Sequence, residues 1–239
     1  MIEKLLMKLR ARDHVGPDEE RALRGAIADT AIAPADRTII RAGEELDHCV
    51  LLLEGLLCRY KDLRNGERQI MELHVPGDFA DLHSFTLKRL DHNVMALTPC
   101  RLAFAPHERL EAISREHPHL TRLLWFSTNL DAAIHREWVL SLGRRTASAR
   151  IAHLFCELHV RLDMVGLADG PEYRLDLTQA DLAECMGLTS VHVNRTLKDL
   201  REQGLVSFKG GTVRIDDLSG LRHVAEFDPG YLYLDRRPR

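Results

Sequence analysis

The feature that most constrains this chain is an abrupt change of pattern near His117. Across residues 38–105, short stretches of β-forming residues alternate with Gly-containing turns such as Asn65-Gly66. Across residues 117–142 there is no Gly, and no Pro follows Pro118. Short strands separated by regular turns are typical of a small sandwich or barrel, whereas the second stretch predicts one long helix.

Two turns in the β region predict where particular strands begin and end. Glu54-Gly55 separates the apolar run Val50–Leu53 from the stretch Leu56–Lys61, which favours a two-residue hairpin. Pro76-Gly77-Asp78 ends a further strand that begins near Gln69. The β region is therefore expected to be a series of short strands.

A helix of about 25 residues is about 37 Å long, which is more than a small domain covers alone. Its 4-3 spacing indicates a seam that pairs with a second chain. The alternative is a helix that lies across its own β domain. Gly143 is expected to end it, and another helix is expected to run to about Asp163. The seam consists of Leu120, Leu124, Ser127, Asp131, Ile134, Trp138 and Ser141.

Residues 177–206 have the pattern of two helices joined by a tight turn. Thr178 followed by Asp181 has the form of a capping box, which marks the start of the first helix. Gly187 ends that helix, and Thr189 caps a second one two residues later. Two helices joined by about four residues that include Gly are typical of a helix-turn-helix motif.

The second helix sorts into two faces when its residues are placed at 100° intervals. Val193, Leu197 and Leu200 are expected to face the core, while Val191, Arg195, Lys198 and Glu202 lie opposite. In this motif the first turns of the second helix enter the major groove, where Arg195 suits bidentate donation to guanine. The predicted DNA-binding residues are Thr178, Gln179, Thr189, Ser190, Val191, His192, Arg195, Lys198 and Lys209.

A second hairpin follows the two helices. Two short strands flank Lys209-Gly210-Gly211, and the lysine is placed to meet a phosphate, which is typical of a wing. Arg144, Arg145 and Arg150 add positive charge just beyond the long helix. The alternative is an amphipathic helical hairpin with a surface arginine, but two caps, the Gly turn and the wing together favour DNA binding.

These motifs together resemble the Crp–Fnr (cyclic-AMP receptor / fumarate–nitrate regulator) family over roughly residues 20–225. Arg41-Ala-Gly-Glu44, Leu53-Glu-Gly-Leu56, Pro76-Gly-Asp-Phe79 and Ala96-Leu-Thr-Pro-Cys100 are similar to its effector-binding β-roll. The segment 187–197 is similar to its recognition helix. The resemblance implies a homodimeric transcription regulator that binds a palindromic operator in double-stranded DNA and contacts RNA polymerase.

The expected fold is α+β, with an N-terminal β-roll like a cyclic-nucleotide-binding jelly roll, a long dimerisation helix and a C-terminal winged helix-turn-helix. The expected domains are an N-terminal helix and sensory β-roll (1–116), the dimerisation helix (117–143), the DNA-binding domain (144–226) and a tail (227–239).

The chain departs from the family pattern where cyclic AMP would bind. Family members that bind it have a Gly-Glu pair and then an Arg after Pro-Gly-Asp-Phe, but here Asp81-Leu82 and Leu90 stand at those places, with Arg89 beside Leu90. A leucine cannot neutralise a phosphate, and Asp81 would repel one. The sequence therefore argues against cyclic AMP in the usual mode and leaves the effector open. The effector-pocket candidates are Asp81, Leu82, Arg89, Leu90, His135 and Arg136.

Metal and haem sensing are weighed on the His and Cys residues. The five Cys are far apart without ligand spacing, which argues against an iron–sulfur cluster and favours reduced thiols. His74, His83 and His92 recur every nine residues, without the close spacing of a metal site. No metal site or cofactor is predicted. A metal, haem or other small-ligand sensor remains the alternative, and a β-barrel metalloenzyme is weaker still.

Composition sets the remaining expectations. The 239 residues carry a formal net charge of −3, and 45% are hydrophobic, which indicates a folded protein. No stretch has the apolar length of a membrane span, the charged N-terminus is not a secretory signal, and no nucleophile motif or phosphate loop indicates an enzyme. A cytoplasmic regulator with no membrane partner is expected.

Overall fold

The computed structural model describes residues 1–238. The helices are α1 (Glu3–Arg12), α2 (Pro17–Ala26), α3 (Ser84–Leu87), α4 (His107–Glu116), α5 (Pro118–Arg144), α6 (Ala147–Asp163), α7 (Gln179–Met186), α8 (Ser190–Glu202) and α9 (Leu218–Ala225), followed by a 3-10 helix (Pro229–Leu232). The strands are β1 (Asp29–Ala33), β2 (Arg37–Ile40), β3 (His48–Glu54), β4 (Leu57–Asp62), β5 (Arg68–His74), β6 (Asn93–Ala96), β7 (Cys100–Pro106), β8 (Ala168–Asp169), β9 (Glu172–Arg174), β10 (Val206–Lys209) and β11 (Thr212–Ile215).

The chain divides into two compact units. The N-terminal unit comprises residues 1–61, 73–133 and the end of the chain from Tyr233, and the C-terminal unit comprises residues 62–72 and 134–232. None of the helices within residues 1–238 combines the length and apolar character that crossing a membrane requires. The border between the two units falls within α5, and the domain boundaries at 116, 143 and 226 stay predictions.

The β-roll is built from two sheets, one with strand order β1-β7-β3 and one with order β2-β6-β4-β5. Val50 and Leu52 of β3 lie in a core cluster that includes residues of both sheets. Leu51 and Leu53 lie in a second cluster with α1, α2, α4 and α5. The apolar run of β3 is continuous because this strand is buried on both faces.

The turn at Glu54-Gly55 is not a hairpin, contrary to the prediction. β3 pairs with β7, whereas β4 pairs with β6, so this turn carries the chain from one sheet to the other. Gly55 has φ of +93°, and a Cβ there would lie 2.5 Å from the carbonyl oxygen of Pro99. The glycine is required by its positive φ and by the close approach of the turn that joins β6 to β7. The Asn65-Gly66 turn, in contrast, does join β4 to β5, with φ of +87° at Gly66.

The long helix forms as predicted, but the predicted seam faces its own chain. Leu120 and Leu124 belong to the core cluster of the N-terminal unit. Ile134, Trp138 and Ser141 are buried as well, at 3%, 5% and 7% exposure. The seam assignment is therefore wrong, because periodicity shows that a helix has an apolar stripe but does not identify what covers it.

Gly143 does not end the long helix. The helix α5 has 27 residues and continues through Gly143 to Arg144. The next helix starts where the side chain of Thr146 accepts a hydrogen bond from the backbone N–H of Ala149. An N-cap threonine, rather than the glycine, therefore sets the boundary between α5 and α6.

Candidate DNA-binding site

The first helix of the motif is fixed at both ends by the predicted residues. Thr178 Oγ1 accepts from the Asp181 backbone N–H, and Asp181 Oδ2 accepts from the Thr178 N–H at 2.7 Å, which completes the capping box. Gly187 takes the left-handed conformation with φ of +60°. Thr189 Oγ1 then accepts from the His192 N–H and starts α8. The helix–turn–helix spacing read from the sequence is confirmed.

The recognition helix α8 turns one face to the core of the C-terminal unit. Val193 and Leu200 are fully buried, as predicted. Thr196 is also buried at 2%, whereas Leu197 is only half-buried. The prediction missed Thr196 because a hydroxyl-bearing side chain gives no apolar signal in a helical pattern.

The opposite face of α8 is open to solvent. Ser190, Arg195 and Lys198 are exposed, Val191 is 82% exposed, and His192 is half-buried. Arg195 makes no hydrogen bond or ion pair with any residue in the part of the chain that the structure describes. An exposed guanidinium without an internal partner keeps its donors available for a base or a phosphate.

Asn194 lies on the same exposed face, and sequence reasoning missed it. Its Nδ2 donates to Oε1 of Gln179 over 3.2 Å, which links the start of α7 to the middle of α8. Gln179 is exposed as well, so both amides lie at the surface where the two helices meet. The signal was present in the 100° spacing, since Asn194 lies four positions before Lys198 and therefore beside it on the helix surface.

The hairpin after α8 has the geometry of a wing. β10 pairs with β11 in antiparallel register, with Lys209 opposite Thr212. Gly210 and Gly211 between them have φ of +59° and +72°, as a two-residue turn of this type requires. Lys209 is exposed at the start of that turn.

Two of the three arginines expected to add charge beyond the long helix are used internally. Arg145 donates to Oε1 of Glu137 at 2.6 Å. Arg150 donates to the carbonyl oxygens of Arg145 and Met186 at 3.0 and 2.9 Å. Only Arg144 of these three is exposed.

Comparison with known protein families finds two matching domain models, one for each half of the chain. Residues 32–117 match the model of the cyclic nucleotide-binding domain, and residues 149–224 match that of the Crp-like helix-turn-helix domain. The chain belongs to the Crp–Fnr family. It is a DNA-binding transcription regulator of this family, with the α+β fold of a β-roll, a long helix and a C-terminal winged helix-turn-helix.

Relatives of the Crp–Fnr family cover most of the chain. The transcriptional activator protein FnrL of Cereibacter sphaeroides is 29% identical over 181 residues, which are 74% of this chain and 71% of that protein. The nitrogen fixation regulation protein FixK of Azorhizobium caulinodans is 28% identical over 83% of this chain and 80% of that protein. The solved structure of FixK2 from Bradyrhizobium japonicum matches with a TM-score of 0.75, 25% identity, and coverage of 82% and 96%.

The Crp–Fnr effector region contains interior residues where a nucleotide would need polar contacts. Asp81 is fully buried, and its carboxylate accepts from the Val50 N–H at 2.6 Å and from Ser84 Oγ at 2.9 Å. Burial raises the pKa of Asp81 to about 6. Leu82 and Leu90 lie in core clusters. These three side chains hold the roll together and do not fit a ribose or a cyclic phosphate.

The other effector-pocket candidates lie in different surroundings. Arg89 is exposed and pairs with Glu45 at 3.3 Å. His135 Nδ1 lies 3.1 Å from Oε2 of the buried Glu72, and Arg136 is exposed. Each of these groups is explained by a local contact or by solvent.

A buried ion pair that sequence reasoning missed crosses the N-terminal unit. Arg59 of β4 is 3% exposed; its Nε donates to the carbonyl oxygen of Ala80 at 2.8 Å, and its Nη2 donates to Oδ2 of Asp131 at 2.7 Å. Ala80 directly follows Pro-Gly-Asp-Phe, and Asp131 lies on α5. This arginine therefore joins the segment after Pro-Gly-Asp-Phe to the long helix.

The His and Cys residues do not gather into a metal-binding cluster in the described chain. Within residues 1–238 no three His, Cys, Asp or Glu side chains are arranged to hold an ion. The cysteines are free and buried. The rings of His83 and His92 do come within 5.6 Å of each other, and burial lowers the pKa of His92.

Proposed function

We propose that this protein works as a homodimer that reads a palindromic operator with the exposed face of α8. The observation that carries this proposal is that Arg195 is exposed on the first turns of α8 and pairs with no residue in 1–238, while Val193, Thr196 and Leu200 bury the other face of the helix. Ser190, Val191, His192 and Asn194 lie beside it for base-edge contacts. Thr178, Gln179, Thr189, Lys198 and Lys209 are proposed to hold the phosphate backbone on either side.

The exposed stripe of α5 supports dimerisation along this helix. Trp125 and Val139 are 67% and 70% exposed, and Ala132 between them is exposed too, so an apolar side chain recurs every seven residues. Asn129, Arg136 and Gly143 occupy the alternate exposed positions. A 4-3 spacing of exposed residues over 27 residues fits a two-stranded coiled coil, and an asparagine in such a seam fixes its register.

The Arg59–Asp131 pair supports control by something other than cyclic AMP. In the family pattern a bound nucleotide would supply negative charge for an arginine after Pro-Gly-Asp-Phe. Here a carboxylate on α5 already neutralises a buried guanidinium in that region. We propose that the effector is not a cyclic nucleotide, or that the regulator needs none.

A second candidate function, sensing of a small uncharged ligand, is favoured by a cavity in the N-terminal unit. Its volume is about 340 Å³, and α3, α4 and α5 contribute to it. Its apolar lining consists of Leu82, Phe85, Leu110, Ile113, Leu124 and Trp125. The hydroxyls of Thr121 and Ser114 donate to backbone carbonyl oxygens. Cavities of this size and polarity suit apolar ligands rather than phosphates.

We also propose, from membership of the family, that the domain boundaries lie at 116, 143 and 226. We propose in the same way that the protein contacts RNA polymerase and works in the cytoplasm. The relatives named above are bacterial regulators, and a regulator of chromosomal DNA works in the cytoplasm and next to the polymerase. No catalytic role is proposed, because the residues at the exposed site suit DNA recognition.

Selection of bound DNA from a random duplex pool tests the function. We expect an inverted repeat whose half-sites lie about one helical turn apart, since each chain of the dimer presents one α8. The affinity for that operator, measured at fixed salt, is expected to be the same with and without saturating cyclic AMP. Enrichment of a single asymmetric site would contradict the dimer, and tighter binding with cyclic AMP would contradict the proposed control.

A further inference from the structure

The turn between the two helices of the motif depends on the carbonyl groups at the end of α7. A helix leaves its last carbonyl oxygens without partners inside the helix, so other donors must satisfy them. The Ala183 carbonyl accepts from the backbone N–H groups of Gly187 and Leu188. The Met186 carbonyl accepts from Arg150 at 2.9 Å. The carbonyls of Glu184 and Cys185 remain.

Those two carbonyls accept from one side chain of the β4–β5 hairpin. Nε2 of Gln69 lies 2.8 Å from the carbonyl oxygen of Glu184 and 3.3 Å from that of Cys185, and its two N–H groups are shared with the carbonyl of the adjacent Ile70 at 2.7 Å. Oε1 of Gln69 lies 3.6 Å from where a Cβ on Gly187 would stand, so this amide is beside the turn itself. Gln69 is half-buried in this position.

The rest of the hairpin end supports this docking. Residues 62–72 group with the C-terminal unit, although β4 and β5 are strands of the four-stranded β-roll sheet. Arg68 and Asp62, which pair at 2.9 Å, both act on the carboxyl group of Glu184 through their charges. The hairpin end therefore lies along the C-terminal part of α7 with several groups, not with one side chain alone.

We infer that Gln69 is a positioning residue for DNA recognition: its amide caps α7 and thereby sets the turn from which α8 starts. This inference rests on the proposed role of α8 in reading DNA. Gln69 touches no DNA in this view and acts only through α7.

Two substitutions separate the donor from the shape of the side chain. Gln69→Glu keeps the shape but places a carboxylate against two carbonyl oxygens and the negative end of the helix dipole. Gln69→Leu removes the donor without adding charge. Gln69→Lys restores a donor that suits a helix C-terminus. Leu63→Ala changes a 60% exposed side chain of the same hairpin and is the matched control.

Operator affinity and amide hydrogen exchange are measured on the full-length variants. We expect Gln69→Leu to bind the operator about 5–10-fold more weakly, as loss of one to two hydrogen bonds implies, and Gln69→Glu to bind more weakly still. Exchange should rise at residues 184–193 and stay unchanged in the β-roll. Gln69→Lys and Leu63→Ala should keep the slow exchange of the wild type, and the salt dependence of binding for Gln69→Leu should not change.

The inference is overturned if Gln69→Glu and Gln69→Leu keep wild-type operator affinity and exchange. It is equally overturned if exchange rises throughout the chain while affinity stays unchanged, since that would be a general effect on stability. Failure of the proposed function is distinguishable from failure of this inference. If the proposed function fails, the wild type selects no DNA, while exchange at residues 184–193 still responds to the two substitutions.

Discussion

At the scale of single residues, the same residue type has opposite roles in different surroundings. Arg195 is exposed and has no partner among the described residues, whereas Arg59 is buried and satisfied by Ala80 and Asp131. The first arrangement leaves a guanidinium available for the proposed DNA contact, and the second joins two parts of one unit.

Val191 is a difference from the pattern that the family resemblance implies. It stands where a glutamate that accepts from cytosine is frequent, so the operator is expected to differ at one base pair.

Arg195→Ala tests the base-reading role. We expect the operator affinity to fall by about 1–3 kcal/mol, with a relaxed preference at one base pair and little change in binding to unrelated duplexes. Arg201→Ala removes the same charge from the exposed last turn of α8 and is the matched control. Both are measured at fixed salt, and an equal loss in the two variants would reduce Arg195 to a general phosphate contact.

Asp81→Asn tests the interior role of a residue first considered for the effector pocket. Burial raises the pKa of Asp81 to about 6, above the 3.8 of an unperturbed carboxyl group, so the folded state binds this proton more tightly than the unfolded state. The contribution of Asp81 to stability is therefore fully present below about pH 4 and falls as the pH rises to about 6. Asn carries no charge at any pH, so this part of the pH dependence should disappear.

Urea unfolding between about pH 4 and pH 8 measures this effect. We expect the wild type to lose about 2–3 kcal/mol from this group over that range, and Asp81→Asn to show a correspondingly flatter profile. Asp91→Asn is the control, because hydrogen bonds from Lys61 and His92 lower the pKa of the exposed Asp91, so its own contribution to stability changes below about pH 4, outside the measured range. A profile of Asp81→Asn identical to that of the wild type would show that Asp81 does not titrate in this range.

At the scale of elements, α5 shows what a helical period reveals and what it hides. The helix has two stripes with 4-3 spacing, one buried against its own chain and one exposed. The sequence pattern favoured the wrong one for pairing because Leu120, Leu124, Ile134 and Trp138 form the more apolar of the two. The exposed stripe, with Trp125 and Val139, is apolar only at every second position. Its role in pairing is inferred from the tertiary structure, in which no residue of 1–238 covers it.

Val139→Glu tests this stripe. We expect a charge at its apolar position to separate the dimer and to weaken operator binding, because one half-site alone gives little affinity. The mass in solution, from light scattering, should fall to that of one chain while the circular dichroism spectrum stays unchanged. Ile32→Glu introduces the same change at an 83% exposed residue of β1 and should leave the mass unaltered. Equal masses for the two variants would exclude the stripe as the interface.

At the scale of the whole molecule, the net charge of −3 gives no hint of a DNA partner. Between Leu175 and Ile215, five Lys and Arg residues are matched by five acids, so even this region is neutral overall. The placement of charge differs from its sum: Arg195, Lys198 and Lys209, the proposed DNA contacts, are exposed, while Arg145 and Arg150 are bonded internally. Because few exposed Lys and Arg residues lie on α8 and the wing, we expect non-specific binding to be weak and the operator to need both proposed half-sites.

The sequence by itself determined the local features of this protein. The capping box at Thr178, the left-handed Gly187, the cap at Thr189, the Gly-Gly wing and the long helix are all confirmed, because each depends on a few neighbouring residues with strong conformational preferences. Helical geometry likewise predicted which face of α8 is exposed, but it missed the burial of Thr196 and the exposure of Asn194.

Only the tertiary structure decided which groups meet across long separations in the chain. These contacts join segments between 31 and 116 positions apart. They include the burial of Asp81, the pairing of Arg59 with Asp131 and the capping of α7 by Gln69, and the change of sheet at Gly55 depends on a similar long-range approach. Local preference carries no information about these contacts, because their free energy arises from burial and partner geometry that exist only after the chain has folded.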